Sequence, residues 1–291
     1  MARLNQFIAR LENQQVAASA TLRTGDLEKA IKVGDSDLDF AIVDLEHDGF
    51  DFPALGNTFQ WLQSRRRWAQ VGPGAVQPSP LVRLPYDASS PSHWVAAQAL
   101  DYGAFGFVLP YVESAAQLEA AVDAIRYPGA DGSGGRRGVW PRLAVRYWGL
   151  DSVDEYIDRA DLWPLNPAGE LILIAMIATQ KAIENIDEIL AVPGIGGVLY
   201  GPKHAWISMG RRNPVDLDDP DIVAFRDRLV SACAAAGVAL GTSATGDAPT
   251  GDQTVDPDYL RARISDGFRF FLTPGTSTPP ALVAARDGFR G

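Results

Sequence analysis

Apolar residues along this chain recur in two alternating rhythms. Short apolar runs with the length of buried strands are separated by longer stretches whose apolar positions return every three to four residues. Residues 16–22, 39–43 (DFAIV), 81–84 (LVRL), 106–109, 171–176 (LILIAM), 197–200, 238–241 and 269–272 read as strands. Residues 25–33, 52–67, 93–100, 180–191, 222–236 and 258–266 carry helical spacing between them, with a further helix over 4–11 and a short last one over 280–286. Ser114 is a good N-cap for a helix running to Ile125, and Gln117 three positions on completes a capping-box pattern. Strand and helix alternate without an interior break in composition, which predicts a single α/β domain over residues 1–291. With about eight strands, closure into a (β/α)8 TIM barrel with an N-terminal helix fits best. An open doubly wound sheet fits less well, because no dinucleotide glycine fingerprint follows an early strand.

Two stretches interrupt the rhythm. Residues 71–80 (VGPGAVQPSP) and 127–138 (YPGADGSGGRRG) are rich in glycine and proline and read as loops. The second lacks the strand-loop-helix setting and the Lys-Ser/Thr ending of a phosphate-binding loop. Residues 171–210 give the clearest unit: strand, amphipathic helix, Pro193-Gly194, second strand, then a turn at Gly201-Pro202. In such folds chemistry gathers beyond the strand C-termini. Here those tips are Asp44-Leu45-Glu46-His47, Ile177-Ala178-Thr179 and Pro202-Lys203-His204.

Composition narrows the partners. The chain has 291 residues, 46% hydrophobic and 21% charged, which suits a soluble globular protein. A formal net charge of -10, with no basic block longer than Arg65-Arg66-Arg67, argues against nucleic acid or an anionic membrane surface and leaves a small-molecule substrate. That arginine triplet reads as a solvated helix end. The single cysteine, Cys233, permits no intrachain disulfide and lies in an apolar helical run, so it reads as a small core residue. No leader pattern and no apolar run of membrane-spanning length is present, and a cytoplasmic location is expected.

Three histidines occur, His47, His93 and His204. His47 and His204 fall at strand tips, whereas His93 opens a helix and reads as a surface or capping residue. Asp44 and Glu46 flank His47, where a carboxylate can orient an imidazole and tune its basicity. Arg83 ends a buried strand and needs an anion, either a protein carboxylate or a substrate carboxylate. These residues predict acid–base and carboxylate-binding chemistry without naming a reaction.

DFAIVDLEH at residues 39–47, LVRLP at 81–85, AVDAIRYPGADGSGGRRGV at 121–139 and ENIDEILAVPGIGGVLYGP at 184–202 together resemble the HpcH/HpaI aldolases of the wider aldolase/citrate lyase group. The resemblance runs in order through nearly the whole chain. It implies a (β/α)8 barrel that reversibly cleaves 4-hydroxy-2-oxo acids to pyruvate, or a related 2-oxo acid, and an aldehyde. It also implies a divalent metal that chelates the oxo acid and stabilises its enolate. By the same resemblance His47 manages protons with Asp44 beside it, Arg83 holds the carboxylate and enolate oxygen, and the assembly is a hexamer with swapped C-terminal helices.

The chain departs from the family pattern at two tips. Where the family has Gln-x-Glu-Thr, this sequence has Met176-Ile177-Ala178-Thr179. Where the family has Gly-Pro-x-Asp-Leu-Ser, it has Gly201-Pro202-Lys203-His204-Ala205-Trp206. The metal-binding carboxylate positions are therefore Ala178 and His204, and no metal ligand set is expected, since a hard cation prefers oxygen donors. His47, Asp44 and His204 are expected to be catalytic. Arg83, Glu46, Met176, Ala178, Thr179, Gly201, Pro202, Lys203 and Trp206 are expected to line the substrate site. Met176 and Trp206 make that site more apolar, and Trp140, Trp148 and Trp163 serve either the pocket or ordinary packing. Three readings stay open: a diverged carbon–carbon lyase without cofactor; a metal-independent isomerase, dehydratase or cyclase; and a non-catalytic binding protein.

Overall fold

The computed structural model describes residues 3–71, 78–85, 93–129, 134–141, 143–246 and 254–288. Most of the segment 71–80, the centre of the stretch 127–138 and the His93 side chain lie outside the described residues. The chain opens with α1 (Gln6–Glu12), β1 (Ala17–Arg23), α2 (Leu27–Gly34), β2 (Phe40–Asp44), α3 (Phe52–Leu62) and α4 (Arg65–Val71). It continues through β3 (Ser79–Arg83), α5 (His93–Tyr102), β4 (Gly106–Leu109), α6 (Ala115–Ile125), α7 (Ala144–Tyr147), α8 (Val153–Arg159) and the short β5 (Leu162–Trp163). The last part comprises β6 (Leu171–Ile177), α9 (Gln180–Glu184), α10 (Ile186–Leu190), β7 (Gly197–Tyr200), α11 (Pro202–Ser208) and α12 (Pro220–Ala236). It ends with β8 (Ala239–Ser243), α13 (Pro257–Ser265), β9 (Phe268–Thr273) and α14 (Pro280–Gly288).

Parallel pairing runs β1-β2-β3-β4-β6-β7-β8-β9 and returns from β9 to β1, so the sheet closes as an eight-stranded (β/α)8 barrel. β5 is an appendage paired to the start of β6. Alternation along each strand divides the apolar residues into two cores. Ile42, Leu81, Val108, Ile172, Ile174, Met176, Leu199 and Phe270 fill the barrel, while Val43, Val82, Ala175, Ile177 and Val198 face the helices. Phe270 occupies the interior because Gly241 faces it. A Cβ at Gly241 would lie 2.2 Å from the Phe270 ring.

The N-terminal helix forms the floor. Phe7 stacks on Phe40 at 4.0 Å between centroids and meets Phe270 edge-on at 5.2 Å, all three rings fully buried. Asn5 caps α1 and donates through Nδ2 to the Glu170 carbonyl at 2.9 Å, while the Glu170 carboxylate accepts the Asn5 amide, also at 2.9 Å. That buried carboxylate is neutralised by Arg159 at 2.9 Å.

Three helical expectations change in detail. The stretch 52–67 divides at Gln63, whose extended backbone ends α3, and Ser64 then caps α4 through the Arg67 amide. The stretch 180–191 divides at Asn185, which donates to the Glu113 carbonyl at 2.8 Å. Gly201-Pro202 is not a turn into a loop: Pro202 takes the first position of α11, where its fixed φ suits a helix and its missing N–H costs nothing. The capping box at Ser114 and Gln117 forms as expected. Cys233 is buried in the outer core, and burial pushes its thiol up to about 12. Among the described residues no helix is long and apolar enough to cross a membrane.

Candidate active site

Strand register builds the first half of the site. Asp44 and Arg83 are direct neighbours across β2 and β3, both pointing inward at the C-terminal end of the barrel. The Arg83 guanidinium donates through Nε to Asp44 Oδ1 at 2.9 Å and through Nη2 to Asp44 Oδ2, a two-pronged pair. Its Nε also lies 3.2 Å from Glu46 Oε2. The anion that Arg83 needs is thus supplied by the protein itself, and Nη1 takes part in neither pair. Asp44 also accepts the backbone amides of Glu46 at 2.9 Å and His47 at 3.3 Å, which fixes the turn carrying both residues.

Burial alone would raise the Asp44 carboxyl, but the Arg83 hydrogen bond and charge, with the two amides, hold it below the usual carboxylate range. Glu46 behaves oppositely. Burial raises its carboxyl, and the positive charges of Arg83 and His47 only partly offset this. His47 Nε2 lies 3.4 Å from Glu46 Oε2, and the imidazole is 59% exposed, so it stands at the mouth while its carboxylate partner is buried. Three residues on, half-exposed Phe50 meets Phe52 and Trp94 edge-on at 5.3 and 5.7 Å and forms an aromatic rim.

The second half gathers over β6 and β7. A Cβ at Gly201 would lie 2.8 Å from Met176 Cε, 3.4 Å from His204 Nδ1 and 3.7 Å from Ala178 Cβ, so these four residues share one small volume. His204 stands in the first turn of α11. Burial lowers its imidazole, and the charges of Arg83, His47 and Lys203 push it further down. His204 is therefore a neutral ring near neutral pH, electrostatically in reach of both halves of the site.

Some expected residues do other work. The Thr179 hydroxyl caps α9 by accepting the Ala182 amide at 3.1 Å and donates to Glu113 at 2.8 Å. Pro202 is buried as the first residue of α11. Trp206 does not line the barrel. It packs in the outer core, donates to the Arg212 carbonyl at 2.6 Å and lies under the Arg211 guanidinium. Trp148 is core, stacked on Phe105 and bonded to the Gly103 carbonyl at 3.0 Å, at the end of the barrel opposite the site. Trp163 packs against the barrel interior from β5, and Trp140 is 72% exposed.

Two residues at the tip of β4 escaped the sequence reading. Glu113 ties Thr179, Asn185 and Lys181 together. Tyr111 places its ring against His204, with centroids 5.7 Å apart and planes at 82°. Their signal was position alone, two and four residues beyond a predicted strand. Among the described residues no group of three or more His, Cys, Asp or Glu side chains is placed to hold a metal ion. At the positions where the family resemblance implies two carboxylates, Ala178 offers a methyl group and His204 a nitrogen.

Comparison with known proteins agrees with this architecture. The family model HpcH/HpaI aldolase/citrate lyase matches residues 71–252. The chain is 30% identical over 286 residues to a hydroxypyruvate/pyruvate aldolase of Pseudomonas aeruginosa, covering 98% of this chain and 91% of that protein. It is 30% identical over 238 residues to a 2-keto-3-deoxy-L-rhamnonate aldolase of Escherichia coli, covering 81% and 78%. A solved HpcH/HpaI aldolase/citrate lyase family protein of Burkholderia cenocepacia shares the fold at TM-score 0.72 and 22% identity, covering 98% of each chain. The family match across well over half the chain, joined to a closed barrel with Asp44, Glu46, His47 and Arg83 assembled at its mouth, leads to one conclusion: this protein belongs to the HpcH/HpaI aldolase/citrate lyase family and is an aldolase-like lyase.

Proposed function

We propose that the protein cleaves, or in reverse forms, a carbon–carbon bond in a carboxylate substrate of the 2-oxo acid class, using acid–base side chains in place of the family's divalent metal. The observation that carries this reading is the donor set at the mouth. Asp44, Glu46, His47 and Arg83 form one hydrogen-bonded and ion-paired unit, while the two expected carboxylate positions hold Ala178 and His204. A methyl group and a single imidazole do not fit a hard cation that asks for several oxygen ligands.

Arg83, held rigid by two carboxylates, presents positive charge to the substrate carboxylate and to the oxygen that becomes an enolate. His47, paired with Glu46, removes the proton from the hydroxyl on the far carbon of the scissile bond. The O–H electrons form the aldehyde carbonyl, the carbon–carbon bond breaks, and its electrons move onto the 2-oxo group as an enolate. Neutral His204 donates a hydrogen bond to that oxygen. The proton held on His47 then returns to the enolate carbon, which completes the 2-oxo acid and restores the base. Met176 and Ala178, expected to line the substrate site, are buried in the barrel core beneath it, and the exposed rim of Phe50 and Trp94 supplies the apolar surface, which suits an acceptor bulkier than a small polar aldehyde.

The test is product analysis on a panel of 4-hydroxy-2-oxo acids, with chelator and with added magnesium or manganese. Cleavage is expected to persist in chelator, and His47→Ala and His204→Ala are each expected to lower kcat by about a hundredfold. Activity that appears only with added metal, or that survives both substitutions, would overturn the reading. Products without an aldehyde would point to isomerisation.

A further inference from the structure

Tyr111 has φ +51°, in the left-handed region that a bulky residue other than glycine rarely adopts. Its surroundings impose this conformation. On one side Pro110 follows β4. On the other, Val112 is fully buried and its amide donates to the Met176 carbonyl at 3.3 Å. Glu113 then receives the Thr179 hydroxyl on its carboxylate and the Asn185 amide on its carbonyl, and its own amide donates to Gln117. The turn is therefore fixed from both ends, and the unfavourable φ aims the tyrosine ring toward the mouth.

There it meets His204, which arrives from α11 two strands away, nearly perpendicular at 5.7 Å. The space beside the imidazole is bounded by the Ala178 methyl group, the Met176 methyl group and Gly201. No larger side chain stands at 178 to contest that volume. Ala178, His204 and Tyr111 thus depend on one another: the small residue leaves room, the imidazole enters, and the aromatic ring meets it nearly at right angles.

We propose that Tyr111 is the positioning residue for His204, a strained aromatic support that fixes the imidazole over the tips of β6 and β7. This rests on the reading of His204 as an acid–base group, and the experiment separates the two claims. Tyr111→Phe keeps the ring, Tyr111→Leu removes it, and Tyr111→Gly removes it while accepting the positive φ. The His204 imidazole resonances, assigned by their loss in His204→Gln from a protein with 3 histidines, report the ring directly. They are expected to shift in Tyr111→Leu and Tyr111→Gly and to stay near their parent positions in Tyr111→Phe. Turnover is expected to fall by roughly ten- to a hundredfold in kcat, with little change in KM, for the leucine and glycine variants, and to be retained by phenylalanine. Relief of the positive φ in Tyr111→Gly offsets part of the lost ring contact, so a cooperative unfolding transition close to the parent's is expected, which separates lost activity from lost folding. Unmoved His204 resonances in Tyr111→Leu, or full turnover by that variant while His204→Ala is inactive, would overturn the proposal. If His204→Ala leaves turnover intact, the acid–base reading of His204 fails, while the resonance shift still tests the ring pairing.

Discussion

Single residues at the mouth are tuned by how deeply they sit. His204 carries the clearest consequence for pH. Its folded-state affinity for protons is depressed, chiefly by burial, whereas in the unfolded chain it titrates near about 6.5. As pH falls through that value the unfolded chain takes up a proton that the folded chain resists, so stability is lost on acidification and regained above it. Glu46 contributes with the opposite sign, because its raised carboxyl favours the folded state when protonated, in a window beginning near about pH 4.5. The difference between parent and His204→Gln in urea midpoint, measured from about pH 5 to about pH 7.5, isolates the histidine. The glutamine variant is expected to lose less stability on acidification than the parent. Asp44 belongs to a different regime. Its carboxyl is held low, and replacing it by alanine strands Arg83, whose side chain is only 18% exposed, without its closest partner. A loss of about 3 kcal/mol is expected in denaturant titration, together with loss of activity. The His47 and Arg83 tips were legible in the sequence because a charged residue ending an apolar strand demands a partner. Which partner it finds was not legible, since it depends on the register of β2 against β3.

At the scale of elements, the strands were readable because alternation and burial write themselves into short apolar runs. What the sequence concealed lies where one residue ends an element. Gln63 and Asn185 each split a continuous amphipathic stretch, and Pro202 starts a seven-residue helix where Gly-Pro suggested a turn. Helical periodicity cannot register a break one or two residues wide or a helix barely two turns long. Trp206 shows the cost: standing at the family's serine position, its side chain was assigned to the mouth, although the helix turns it into the outer core. α1 was recognised as a helix packed on the body, but not as a floor. Phe7→Ala removes a fully buried ring from between Phe40 and Phe270 and is expected to cost about 3–5 kcal/mol in unfolding free energy. Since the substitution is at the far end of the barrel from His47 and Arg83, kcat at a temperature where the variant stays folded is expected to be unchanged.

For the whole molecule, the barrel was legible because strand count, alternation and the family resemblance pointed the same way. Tyr111 and Glu113 were not, since their roles arise only when closure brings the tips of β4, β6 and β7 side by side. Among the described residues, the rings of Phe7, Phe40 and Phe270 block the N-terminal end of that closed barrel, so the candidate site opens at the other end. In the proposed cleavage, both fragments then leave through the mouth by which the intact molecule entered. Arg83 lies deeper than exposed His47, so the carboxylate-bearing fragment is the one trapped behind the other. Steady-state product inhibition is expected to show this queue: the 2-oxo acid competitive with substrate, the aldehyde noncompetitive.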